Sequence, residues 1–299
     1  MSWDVGLAFR PLDVVQQEDR RALYTFALDG IPVIAAEVLD ADSAWTVLVA
    51  NPGSGEARAA RDDGSVAARY YRRIGSLDWY AVSRYSRRDR AQAGTSFSWV
   101  ANESLEGHGS VLYQRRSEKN FNSLALRPGA PPLPAMDPTV VREDFNAVLA
   151  LAGGTWTNEA GWSFLAEGWY DGTAYRKADW DALRALTARQ IALRGRPGVP
   201  ELAIDGNLAY STRYYQYSNL LRENLLARVS VKIEKFTPAL DLLATPRDGG
   251  LVATAACGYE GDRSRVDAGL RVLGGRADSA YRRAPESRVF YIAGSFFLR

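Results

Sequence analysis

Runs of about ten residues in which apolar and polar side chains alternate recur along most of the chain. In "LLARVSVKIEKF", residues 225–236, one alternate set is apolar and the other includes Arg228, Lys232 and Glu234. A period of two predicts a β-strand with one apolar and one polar face. About ten residues is also the length that a tilted strand needs to cross a bilayer. The pattern therefore predicts an all-β fold, either a soluble sandwich or barrel or a transmembrane barrel.

This alternation predicts about 14 strands, within a range of 12–16. They are expected near residues 3–10, 31–40, 43–51, 66–74, 76–86, 93–103, 105–117, 142–155, 160–171, 223–236, 238–247, 250–261, 264–275 and 287–298. The connections between them alternate between short turns and mostly long loops, which is typical of outer-membrane barrels. An even number of strands would bring both termini to the side of the short turns. The whole chain, 1–299, is predicted to be one antiparallel barrel domain.

One long loop, about 172–222, is expected to contain a short helix over 177–195. Asp179 or Asp181 can cap this helix, and Gly195 can end it. The stretch 203–222 would break the order of short and long connections if it were a strand, so it is assigned to the same loop. Residues 21–30, "RALYTFALDG", could form an additional strand.

The composition argues against several classes of function. Because Cys257 is the one cysteine and His108 the one histidine, no disulfide can form within the chain and metal or haem centres have little support. The formal net charge of +2 does not indicate nucleic acid as a partner. No apolar run is long enough for a transmembrane helix. The first twelve residues lack a signal peptide, so an exported protein would be in its mature form. No cofactor is expected.

Aromatic side chains near the expected strand ends, such as Trp45, Trp79, Trp156 and Tyr259, favour the transmembrane barrel because interfacial girdles consist of such residues. In this interpretation Val229, Val231 and Ile233 face lipid. The residues predicted to line the lumen are Arg69, Arg73, Glu167, Arg228, Lys232, Glu234, Arg265, Asp267 and Arg271.

The C-terminal segment "RVFYIAGSFFLR" is similar to the terminal strand of Gram-negative outer-membrane barrels, although Leu298 and Arg299 follow the aromatic residue that usually ends such strands. The segments "GWSFLAEGWYDG" and "TPALDLLATPRDGGLVATAACGYEGDR" resemble uncharacterised proteobacterial barrels of porin-like type. The resemblance implies an outer-membrane location, with lipid and lipopolysaccharide as surroundings and an envelope protein or a second copy of the chain as a possible partner. It implies no particular solute and no catalytic residues.

One motif allows a different chemistry. His108 and Ser110 lie two residues apart, and Asn122 follows Ser110 by twelve. This spacing is similar to the outer-membrane phospholipase A family, which implies Ser110 as nucleophile, His108 as base and Asn122 as the group that orients the base. A lipid hydrolase needs these residues on the lipid side, whereas the alternation assigns them to the lumen.

Two acidic stretches are explained without metal ions. Asp248 in "TPRDGG" fits a tight hairpin turn, and Asp62–Asp63 fits a solvated loop.

The alternating strands, together with the resemblance, predict an outer-membrane channel of porin-like type for small polar or anionic solutes, without enzymatic activity. The alternatives are a plugged barrel that anchors an envelope or export complex, and the lipid hydrolase.

Overall fold

A computed structural model describes residues 3–15, 31–51, 63–134 and 136–296. Within these ranges the chain forms one 13-stranded antiparallel sheet in which each strand pairs with its neighbours in sequence. The strands are β1 Val33–Leu39, β2 Ser43–Ala50, β3 Ser65–Ile74, β4 Leu77–Ser86, β5 Arg90–Asn102, β6 Leu105–Asn122, β7 Thr139–Thr157, β8 Trp162–Asp171, β9 Glu223–Val231, β10 Phe236–Thr245, β11 Gly250–Glu260, β12 Ser264–Gly275 and β13 Arg288–Phe296. The predicted all-β class is confirmed.

The strand prediction was wrong at the N-terminus, because residues 3–15 contain no strand. Gly6 and Pro11 are signals against a strand there, since glycine weakens a strand and proline cannot donate to a ladder. With 13 described strands, β1 and β13 both run from the edge with the long loops toward the edge with the short turns, so the predicted even count does not hold for the described residues. The optional strand at 21–30 and the last residues, 297–299, lie outside the described ranges.

The predicted order of connections agrees with the described strands. Short turns at 40–42, 75–76, 103–104, 158–161, 232–235 and 261–263 lie at one edge, here called the short-turn edge. The opposite, long-loop edge has the connections 51–64, 87–89, 123–138, 172–222, 246–249 and 276–287. β6 and β7 extend farther toward the long-loop edge than predicted, and they remain paired as far as Asn122 and Thr139.

The sheet has two chemically different faces because successive strand residues point to opposite sides. The covered face is the one that includes the buried residues Leu48, Val82, Leu112, Leu149 and Leu243. The apolar face is its opposite, and its exposed residues include Trp45, Val66, Phe97, Phe164, Leu240, Phe290 and Ile292. On β8 to β12 the one charged residue on the apolar face is Glu223, at the start of β9.

The N-terminal segment, residues 3–15, packs on the covered face. Its apolar side chains Trp3, Leu12 and Val14 are buried in one cluster with residues of β2, β3, β4, β6 and β7. Leu12 is fully buried, at 0% exposure. The segment therefore fills the space beside the first half of the sheet.

The loop 172–222 contains the predicted helix and a second one that was not predicted as a helix. The first, α1, spans Lys177–Ile191, and the second, α2, spans Glu201–Ser211 and continues as a 3₁₀ turn, Thr212–Gln216. The absence of a strand in 203–222 is confirmed. The cap differs from the prediction: Arg176 is the N-cap, and its backbone N–H donates to Asp179 at 2.8 Å.

Aromatic residues attach this loop to the sheet. The rings of Tyr175 and Tyr214 stack with centroids 4.5 Å apart, and Phe121 of β6 meets both rings edge-on. Trp180 of α1 donates from its indole nitrogen to the Leu220 carbonyl at 2.7 Å. These residues form one buried cluster with covered-face residues near the long-loop edge, so the loop covers part of that edge. In the described part of the chain no helix is long and apolar enough to cross a membrane.

Candidate functional site

A cavity of about 1050 Å³ lies against the covered face of β9 to β13. Leu7 and Ala8 of the N-terminal segment border it on one side, and residues 215–218 of the long loop border it on another. Its wall thus combines strands that are neighbours in sequence with two segments from distant parts of the chain. Most of the predicted lumen charges of the C-terminal strands lie on its wall.

The strand register places a polar row across this wall. Arg228 of β9 is opposite Asp241 of β10, Asp241 is opposite Thr254 of β11, and Thr254 is opposite Arg271 of β12. Arg228 Nε lies 3.5 Å from Asp241 Oδ1, and Arg271 Nε donates to Thr254 Oγ1 at 3.0 Å. Two guanidinium groups therefore lie in one row with a single carboxylate between them.

The rows on either side of these polar residues determine where the open space lies. The next row toward the long-loop edge is apolar and consists of Leu226, Leu243, Val252 and Leu273. The next row toward the short-turn edge has small side chains and consists of Ser230, Ala239, Ala256 and Gly269. The small side chains of Ser230, Ala239 and Ala256 leave room that larger ones would fill, and the cavity opens there, whereas the Tyr291 ring occupies the space over Gly269.

A second charged pair lies nearer the short-turn edge. Arg265 and Asp267 of β12 are on the same face, with Arg265 Nε 2.9 Å from Asp267 Oδ2. Arg265 is opposite Glu260 of β11 in the register. These residues also line the cavity. The structure thus brings together four of the predicted lumen residues: Arg228, Arg265, Asp267 and Arg271.

The remaining predicted lumen residues lie elsewhere. Arg69 of β3 is half-buried, with its guanidinium over the rings of Trp3, at 5.9 Å, and Tyr80, at 5.5 Å. Arg73 is exposed beside the turn at Gly75 and donates to that residue's carbonyl.

The assignment of Lys232 and Glu234 to a strand face was wrong. β9 ends at Val231, so Lys232 follows the strand and Glu234 lies within the turn to β10, with a positive φ of 53°. Ile233, predicted to face lipid, lies in the same turn and forms an isolated bridge to Phe236.

Glu167 of β8 forms the contact that the sequence did not reveal. It is 2% exposed and accepts hydrogen bonds from the backbone N–H groups of Leu7, at 2.7 Å, and Ala8, at 2.8 Å. His108 Nε2 lies 2.9 Å from Glu167 Oε1. Because an ionised carboxylate only accepts hydrogen bonds, the imidazole donates from Nε2. The buried carboxylate thus joins β6, β8 and the N-terminal segment.

Two further carboxylates shape the N-terminal segment itself. Asp13 accepts from the backbone N–H groups of Trp3, at 2.5 Å, and Asp4, at 3.1 Å. Asp4 accepts from those of Leu12, at 2.6 Å, and Val5, at 2.7 Å. Burial raises the pKa of the Asp4 carboxyl above its ordinary value, although these backbone hydrogen bonds act in the opposite direction. The segment is therefore closed on itself by its own side chains.

The arrangement implied by the hydrolase resemblance does not form. His108 and Ser110 lie on the covered face, and both are buried. The Ser110 hydroxyl donates to Asp4 at 3.4 Å. Asn122 lies at the far end of β6, where its backbone N–H donates to the Tyr214 hydroxyl and its side chain accepts from Leu124. Because the histidine faces away from the apolar face, this geometry does not serve hydrolysis of a membrane lipid.

The acidic turns contain structural hydrogen bonds. Asp248 accepts from the Thr245 hydroxyl at 2.6 Å and from the backbone N–H groups of Gly250 and Ala280. The assignment of Asp63 to a solvated loop was wrong, because this residue is 3% exposed and pairs with Arg84 at 3.2 Å. Asp62 lies outside the described residues. In the described ranges no group of three or more histidine, cysteine or acidic side chains could hold a metal ion.

Comparison with known proteins finds no family model that matches this chain and no curated protein that matches it. The resemblance to porin-like barrels therefore stays a prediction.

Proposed function

We propose that this chain is a membrane-spanning β-barrel that forms a channel for small polar or anionic solutes. The observation that supports this most strongly is the contrast between the two faces of the sheet. Large apolar side chains are exposed on one face, including Leu240 at 50%, Ile292 at 70% and Phe290 at 72%. Soluble monomers rarely expose contiguous apolar patches larger than a few hundred Å². Lipid is the solvent that suits such a face.

In this proposal the strands curve into a barrel whose interior is the covered face. β1 and β13 run in the same direction, so closure needs either parallel pairing of these two strands or an intervening strand. The Gram-negative outer membrane is the proposed location, because antiparallel barrels with short turns at one edge and long loops at the other are typical there. Lipid and lipopolysaccharide would surround the apolar face.

The path for solutes would run along β9 to β13. The cavity of about 1050 Å³ lies there, whereas the N-terminal segment occupies the space beside the earlier strands. Arg228, Arg265 and Arg271 lie on the cavity wall together with Asp241 and Asp267. Charged side chains that line a pore set its ion preference, and guanidinium groups attract anions. The proposed solutes are therefore small and polar, with a preference for negative charge.

A second function is favoured by one observation. Tyr214 and Leu220 of the long loop are buried in a cluster with Trp169 and Leu243 of the sheet, near the long-loop edge. If this cover stays in place, the barrel does not conduct, and it would serve as a plugged anchor for an envelope or export complex.

The test is a planar-bilayer measurement of the reversal potential in a salt gradient. Replacing Arg228, Arg265 and Arg271 together with glutamate should shift the reversal potential toward cation preference. The matched control replaces three exposed loop arginines outside the cavity with glutamate: Arg127, Arg196 and Arg263. The control has the same change in net charge and should keep the original selectivity.

Two results would contradict the proposal, the first its claim of conduction and the second its claim that the cavity wall sets the ion preference. Absence of conductance from the unaltered protein would favour the plugged anchor. Conductance with the same shift in both triple variants would mean that overall charge, and not the cavity wall, determines selectivity.

A further inference from the structure

We infer that the N-terminal segment, residues 3–15, is a preformed plug that binds to the covered face as a unit, and that its release widens the passage. The inference rests on the proposed channel for its effect on conduction. The docking itself follows from the contacts of Glu167 and from the hydrogen bonds within the segment.

The segment has the internal bonding of a small folded unit. Asp13 accepts two and Asp4 three of its own backbone N–H groups, and Arg10 Nε donates to the Gly6 carbonyl at 2.7 Å. These bonds join positions up to ten residues apart within the segment, so they do not require the sheet. The segment can therefore keep its shape when it separates, which lowers the entropic cost of rebinding.

The sheet presents a built receptor for this unit. Glu167 offers one oxygen to the Leu7 N–H and the other to the Ala8 N–H, and His108 donates to the same carboxylate. Both side chains are 2% exposed. A carboxylate that accepts two consecutive backbone N–H groups recognises main chain and not side chains, so the contact has the chemistry of peptide binding.

The docking does not use a strand ladder. No residue of 3–15 belongs to a strand, so the segment is held by side-chain contacts and by apolar packing around Leu12. Weakening the hydrogen bonds from Leu7 and Ala8 to Glu167 therefore weakens the binding of the plug without breaking the pairing of the strands. Release would uncover the face of β2 to β7, next to the cavity that is already open.

The experiment measures the accessibility of Val14, a buried residue of the segment, in the full chain. Cys257, exposed on the apolar face, is replaced with alanine and Val14 with cysteine, which is close to valine in size, and labelling by a water-soluble maleimide is timed in detergent. Glu167→Gln should label about tenfold faster, as expected when one charge-assisted hydrogen bond is weakened. The matched control is Glu106→Gln on β6, on the same face of the sheet, whose carboxylate accepts from Ser98 and does not touch the plug. It should label at the original rate.

Folding is checked in each sample by heat-modifiable gel mobility. If Glu167→Gln does not fold, Asp13→Asn tests the same point, because this change lies within the plug and leaves every strand intact. Equal labelling rates in folded Glu167→Gln, or in Asp13→Asn, and in the control would overturn the plug. In planar bilayers, Glu167→Gln, or Asp13→Asn in its place, should have a larger unit conductance than the unaltered protein.

Faster labelling with unchanged conductance would overturn the gating role. Complete lack of conductance from the unaltered protein refutes the proposed channel instead, and the labelling result then still decides whether the plug is displaceable.

Discussion

Leu240→Arg tests whether lipid or water covers the apolar face. Leu240 lies midway along β10 and is 50% exposed, with its side chain on the apolar face. The adjacent residue, Ala239, points to the opposite face and lines the cavity. Ala239→Arg is therefore a control that places the same side chain in the same strand, one position away.

The two environments predict very different costs. An arginine that faces lipid near the bilayer midplane lowers the free energy of unfolding by about 2–4 kcal/mol. This corresponds to a decrease of about 30- to 900-fold in the folding equilibrium constant. On a water-exposed surface the same substitution usually changes stability by less than about 0.5 kcal/mol. Ala239→Arg should cost little in either case, because the cavity beside it has room for a hydrated guanidinium.

The assay is reversible urea unfolding in lipid vesicles, followed by tryptophan fluorescence, with heat-modifiable gel mobility as a check on folding. We expect the midpoint for Leu240→Arg to fall well below those of the unaltered protein and of Ala239→Arg. If Leu240→Arg is as stable as its control, lipid does not cover this face, and the membrane proposal fails with it.

Three further predictions follow from individual contacts. Burial raises the pKa of Asp4, so the protonated carboxyl stabilises the folded state most at low pH, and this stabilisation is lost as pH rises through the raised pKa. The melting temperature of Asp4→Asn, measured relative to that of the unaltered protein, should therefore increase from pH 4 to pH 7. Gly153→Ala should cost about 1–3 kcal/mol in urea unfolding, since its new Cβ would lie within 3 Å of the buried side chains of Glu167 and His108, whereas Gly107→Ala, which meets only the Trp99 ring at 3.8 Å, should be neutral. In a cysteine-free background, Val231→Cys should react with lipid-soluble probes and Arg228→Cys with aqueous ones; the reverse result would refute the face assignment.

Alternation alone was enough to predict most strands. In β9 to β12 the position of a residue along its strand determines the face of the sheet on which its side chain lies, because successive side chains point to opposite faces. Arg228, Arg265 and Arg271 could thus be assigned to one face before any strand pairing was known. The helix Lys177–Ile191 was predictable for a similar reason, since helical propensity is local, although its N-cap and its end at Ile191 differ from the prediction.

The predictions failed where the local structure depends on a turn or on strand pairing that the alternation of side chains does not reveal. Glu234 continues the alternation of its strand, but β9 ends at Val231 and the chain turns at Glu234 itself, with a positive φ that the sequence did not mark with a glycine. Beyond Arg115 and Asn146, an irregularity in the pairing of β6 and β7 changes which residues are buried. A single irregularity of this kind moves every later side chain to the other face.

The sequence by itself determined the two faces, the order of turns and loops, and the set of charges available to a lumen, because all three depend on neighbours along the chain. The tertiary structure decided that the N-terminal segment is bound to the covered face and not paired as a strand. That outcome depends on Glu167, which is 160 residues from Leu7 in the chain and 2.7 Å from its N–H in the fold. The spacing of residues along a sequence contains no record of such a contact, since the pairing of the seven strands between them brings the two groups together.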